Sequence, residues 1–146
     1  MAASARALVV VLSLCLAACS TVDQIAADVL AARAPAAGLY GERVLQGEVS
    51  FTSPRIGTVH LQTAQSPVLS CVGQIAYTAS AMGVVNLSCN DGALLVVPFQ
   101  ALGPLRGAGR SQPGSKGMSL TYGMAPDMVA SYLGVPVDLV KPAPQP

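Results

Sequence analysis

From residue 44 onward the chain alternates apolar and polar residues with a period of two, which is the repeat of a β-strand with one buried face. Val49 and Phe51 alternate with Glu48, Ser50 and Thr52, and Val59 and Leu61 alternate with Thr58, His60 and Gln62. Leu69, Cys71, Gly73, Ile75, Tyr77 and Ala79 share one face, opposite Ser70, Gln74, Thr78 and Ser80. Val85, Leu87 and Cys89 oppose Asn86 and Ser88, and Met118, Leu120 and Tyr122 repeat the scheme. Turn residues punctuate these runs at Thr52-Ser-Pro54, Ala81-Met-Gly83 and Asn90-Asp-Gly92. Short alternating strands separated by such turns predict a mainly β domain, a small antiparallel sandwich or barrel.

Three segments depart from the alternation. Leu94-Leu-Val-Val-Pro-Phe99 is apolar on both faces. Because Pro98 cannot donate to a β-ladder, the segment is expected at an edge or bulge. It is either covered by a C-terminal helix or, as a partner edge, docked through Leu94, Val96, Val97 and Phe99. Residues 103–117, with five glycines and two prolines, read as a flexible loop in which Gly107 and Gly109 share a face and permit close backbone approach. Pro126 to Leu133 reads as a short helix, with Pro126 and Asp127 in its first turn and Gly134 and Pro136 stopping it. Its stripe of Met124, Met128 and Tyr132 is expected to pack against the core.

The N-terminus has a different character. One cation, Arg6, precedes a charge-free run from Ala7 to Ala18. That run is shorter than the ~20 residues needed to span a bilayer and has the build of a secretory signal. Leu16-Ala17-Ala18-Cys19 resembles the lipobox of bacterial lipoprotein precursors. The resemblance implies cleavage before Cys19 and acylation of its sulfur. Ser20 follows, whereas Asp at that position favours the inner membrane in the family, so the resemblance implies the periplasmic face of a Gram-negative outer membrane. One acyl chain anchors marginally and two or more hold firmly.

The expected organisation is therefore a signal peptide over residues 1–18, a lipid-proximal spacer over 19–38, a β-rich domain over 39–140 and a proline-rich tail over 141–146. Within the spacer, Thr21-Val-Asp-Gln24 reads as a helix capping box. Val22, Ile25, Val29 and Leu30 then follow at helical spacing, closed by Pro35.

In a chain exported this way only Cys71 and Cys89 remain unmodified. Their common strand phase and the oxidising compartment predict a disulfide between them. A zinc site would need more ligands than these two and His60 supply.

The chain carries eight Lys and Arg and seven Asp and Glu, and losing Arg6 with the signal leaves seven of each. This balance gives no field that would draw nucleic acid. His60 is the only histidine, and no nucleophile elbow accompanies it. Asp91 in Asn-Asp-Gly is explained by a turn. The expected function is a non-enzymatic binding or structural role in the envelope, with no cofactor, metal or small-molecule ligand, and with an envelope protein as partner. Arg106, Arg110 and Lys116 are candidates for contact with anionic lipid headgroups. The alternative is an envelope inhibitor of a hydrolase such as lysozyme, on the general build of small disulfide-bearing β lipoproteins alone.

Overall fold

The computed structural model describes residues 32–112 and 117–140. The predicted signal peptide, Cys19, the helical part of the spacer, Lys116 and the proline-rich tail lie outside them.

Eight strands follow one another: β1 (Ala32–Tyr40), β2 (Arg43–Ser53), β3 (Ile56–Gln62), β4 (Ser70–Tyr77), β5 (Met82–Cys89), β6 (Leu94–Gly103), β7 (Arg106–Arg110) and β8 (Met118–Tyr122). Helix α1 (Pro126–Leu133) and a 3-10 turn (Val137–Leu139) complete the fold. Each strand pairs antiparallel with the next, and β1 also pairs with β8, so the sheet closes into a barrel. The barrel has two ends. The chain enters at one end, where β1, β3, β5 and β7 begin; the far end carries the starts of the other four strands.

The first strand corrects the expected boundary at residue 39, since it begins seven residues earlier, inside the predicted spacer. Its sequence, Ala-Arg-Ala-Pro-Ala-Ala-Gly-Leu-Tyr, has no large apolar alternation and therefore no strand signal. The interior requires that smallness. A Cβ added at Gly38 would lie 2.6 Å from the Met118 methyl. Pairing to β2 on one side and β8 on the other overrides the weak propensity.

Residues 103–117 likewise contain a strand where a loop was expected. A turn at Pro104-Leu105 leads into β7, whose Gly107 and Gly109 both face inward. A Cβ at Gly107 would sit 2.5 Å from the Tyr122 hydroxyl, and one at Gly109 would sit 2.4 Å from the Pro98 carbonyl oxygen. The close approach read from these glycines is real, but it occurs inside a strand.

Inward-facing Leu45, Val49, Leu61, Ile75, Val85, Val97 and Leu120 are fully buried and fill the barrel. Their outward neighbours are mostly polar, among them Glu48, His60, Gln74, Asn86 and Ser88. A transmembrane barrel has the reverse arrangement.

A second, smaller core lies outside the barrel. Val129, Ala130 and Leu133 of α1, with Val140, pack on Ala37 of β1. This covers the outer face of β8 as well, so Ser119 and Thr121 are buried too, and the Thr121 hydroxyl donates to the Ala37 carbonyl at 3.3 Å. Pro126 opens α1, and Gly134 (φ 71°) ends it, its N–H bonded to the Ala130 carbonyl. Val129, Ala130 and Leu133 form the buried stripe; of the expected stripe, Met124 and Tyr132 are half-buried and pack against it, while Met128 is 44% exposed.

Cys71 and Cys89 face each other directly across β4 and β5 and are bonded. Both sulfurs lie in the core near the far end. Replacing both cysteines by alanine is expected to lower stability by about 3 kcal/mol, from the freed loop. Denaturant unfolding of the oxidised and doubly substituted proteins checks this.

Candidate functional site

The fold separates the six residues expected to make a partner edge or a headgroup site within the described range. In β6 the side chains alternate: Leu95, Val97 and Phe99 point into the core, while Leu94 and Val96 are 80% and 59% exposed. The segment looked apolar on both faces because one face fills the barrel and the other meets solvent. Helix α1 does not cover it; α1 lies over β1 and β8. Val97 and Phe99 are therefore removed from any docking face, and β6 is not an edge strand of an open sheet.

The proline signal has a local explanation. β6 pairs with β5 along Leu94–Gln100, but with β7 only from Phe99 to Gly103. The Ala101 N–H points to the β5 side, where it bonds the Ala81 carbonyl. Strand alternation then turns the backbone of Pro98 toward the β7 side. The missing donor thus falls at the point where β7 pairing begins.

Outward-facing Val72 (44% exposed) lies in the same cross-strand row as Ser88 and Leu94. With Val96 one row along, these residues line a shallow groove of about 430 Å³ across β4, β5 and β6, near the far end. Gln74, Asn86 and Ser88 supply its polar groups.

The three cations do not assemble. Arg106 and Arg110 begin and end β7, about 13 Å apart at ~3.3 Å per residue. Arg110 is committed to the fold: its Nε donates to the Ser119 hydroxyl at 2.9 Å and its guanidinium also donates to the Tyr132 carbonyl at 3.4 Å. It lies 5.6 Å from the Tyr132 ring centroid, a cation–π distance. It fastens α1 to the barrel. Arg106 remains at the entry end, where it shares a rim with Arg55. Sequence reasoning passed over Arg55, because it sits in a two-residue turn more than fifty positions away.

That rim is formed by three hairpin tips. Pro54 and Arg55, Ser80 and Ala81, and Gly103 and Pro104 surround a recess of about 310 Å³ that reaches Tyr77. Tyr77 and Tyr122 place their hydroxyls 2.8 Å apart. With Phe51 and Phe99 they form a cluster with ring centroids 5.0 to 6.3 Å apart. Burial, and then the bond and charge of Tyr77, hold the Tyr122 hydroxyl well above the ordinary tyrosine range.

Among the described residues, no three His, Cys, Asp or Glu side chains gather as a metal site. His60 is exposed on β3, paired across to Glu48 and Val72. Asp91 accepts the Ala93 N–H at 3.0 Å in its turn, and the Tyr40 hydroxyl donates to it at 3.4 Å.

No family model and no curated protein matches the sequence. Among solved structures, one described as a redesigned β-barrel is similar, with a TM-score of 0.50 and 13% identity, over 68% of this chain and 94% of that one. At that identity the likeness shows the barrel fold alone.

The buried tyrosine gives a pH dependence with a definite sign. In the unfolded chain Tyr122 ionises near its ordinary pKa of about 10, while in the fold it stays protonated to higher pH. Its contribution to stability is therefore complete below about pH 10 and falls above it, by up to about 1.4 kcal/mol per pH unit. Tyr122→Phe should flatten that fall relative to the wild type. Denaturant unfolding of both between about pH 9 and 11 measures the difference.

Proposed function

We propose that this chain is a lipid-anchored protein of the cell envelope whose barrel is a non-enzymatic module for binding or structural support. The anchoring rests on Leu16-Ala17-Ala18-Cys19 after a charge-free run, and on Ser20, which favours the periplasmic face of an outer membrane. The barrel's apolar interior and polar outer face support attachment through the acylated cysteine rather than through the strands. Among the described residues, no helix is long and apolar enough to cross a membrane.

One observation carries the binding role: Val72, Leu94 and Val96 expose aliphatic side chains at positions where a solvent-facing sheet alternates to polar residues. Aliphatic groups grouped at such positions are the composition of a contact patch. The proposed contact is with an envelope protein, through Leu94 and Val96 rather than the whole Leu94–Phe99 segment.

The two neighbouring valines separate these roles. Val96→Glu should leave the melting temperature nearly unchanged, because its side chain is in water. Val97→Glu should unfold the domain, since Val97 is 0% exposed and an unpaired buried charge is costly. Thermal melting reads this directly. A photocrosslinker in place of Val96 in intact envelopes should join one defined protein, with the adduct reduced when Leu94→Asp is added. Absence of any protein adduct at both positions would remove the protein partner. Mass spectrometry of the mature N-terminal peptide tests the anchor, and an unmodified Cys19 overturns it.

A further inference from the structure

We infer that the entry end of the barrel is a membrane-facing surface, which the tether holds against anionic lipid headgroups. The inference rests on the proposed acylation of Cys19. Three observations support it at this end, and the first and third distinguish this end from the other.

The first is where the chain joins the barrel. β1 begins at Ala32 at the entry end, and twelve residues, Ser20 to Ala31, separate it from Cys19. Fully extended, twelve residues span at most about 40 Å. The end that receives this tether is the one with the shortest path to the bilayer.

The second is the composition of the hairpin tips. Ile56, Met82 and Leu102 are 54%, 60% and 46% exposed, and Leu105 adds a fourth aliphatic side chain. They stand on three hairpin tips around one rim, with Leu102 and Leu105 on the same tip. Aliphatic groups at the water boundary gain by entering the headgroup and acyl boundary.

The third is charge. Arg55 and Arg106 flank these tips, and both are exposed. Each uses one guanidinium nitrogen to brace its own neighbourhood, on the Tyr77 and Leu102 carbonyls at 3.5 and 3.3 Å. Each exposed fork keeps further N–H donors, which suit phosphate oxygens. Arg33, near the same end, is paired with Glu48 at 3.5 Å, and Asp127 opens α1 to one side. Around the far end Glu42, Asp91 and Asp138 outnumber Arg43 and Arg110 among the described residues. The rim of aliphatic tips therefore coincides with the cationic end of the barrel, as an anionic surface requires. The aliphatic groove at Val72, Leu94 and Val96 is held at the opposite end, turned away from the lipid.

The test uses the mature, acylated protein in vesicles containing an anionic phospholipid, with a fluorophore on Leu102→Cys or, separately, on Val96→Cys. Quenchers attached to the lipid headgroups should quench the Leu102 probe and spare the Val96 probe. Arg55→Gln with Arg106→Gln should weaken docking by about 25-fold, at roughly fivefold per cation near a charged surface. This should appear as lost quenching at Leu102 while the protein still floats with the vesicles and melts as before. Added salt should act in the same direction. Equal quenching of the two probes, or quenching indifferent to the arginine pair, overturns the docking surface and leaves the anchor standing. An unmodified Cys19, found on the same sample by mass spectrometry, overturns both.

Discussion

Closure of the barrel depends on β1 fitting between β2 and β8. Its inward positions are Ala34, Ala36, Gly38 and Tyr40, three of them the smallest side chains available. Backbone pairing on both sides of β1 completes the ring, and a ring offers no continuous edge for a stray strand to extend. A large residue at Gly38 would meet Met118, so the strand that closes the fold is also the one least able to signal itself by hydrophobic pattern.

That explains how the fold was and was not legible. The strands built from alternating large residues, β2 to β5 and β8, could be read from periodicity alone, and so could the cysteine pair, because both cysteines fell in phase with the buried face. The strands built from small residues, β1 and β7, read as spacer and loop. Alanine and glycine have low strand propensity, and only tertiary contacts reveal why they are there. Helix α1 was legible through Pro126 and Gly134, and its packing face only in part: Met124 and Tyr132 lie against the second core, but the fully buried stripe is Val129, Ala130 and Leu133. Which face turns inward depends on where the helix lands, and it lands on β1 and β8, with Val129 inward and Met128 outward.

The candidate contact residues divide in the same way. An apolar run on both faces suggested an edge at Leu94–Phe99, yet sequence cannot distinguish a covered strand from one that fills a core on one side and meets water on the other. Arg106 and Arg110 are four positions apart in sequence and serve opposite ends of β7. Arg110 is spent on Ser119, Tyr132 and the attachment of α1. Arg106 instead finds its companion in Arg55, which only the closing of the sheet brings to the same rim.

The partners of β1 also set an order of events during folding. The strand is synthesised before the other described strands, and its pairing to β8 joins residues 78 to 86 positions apart. β2 reaches it early, but its other side stays unsatisfied until the C-terminal part has arrived. Non-local closure of this kind comes late in folding, and half-paired strands are where nascent chains associate wrongly. Apart from Leu39 and Tyr40 at its end, the strand is four alanines, one arginine, one glycine and one proline; it exposes little greasy surface during that wait, and Pro35 makes it a poor template for a foreign strand. The smallness that the finished interior demands thus also protects the newborn chain.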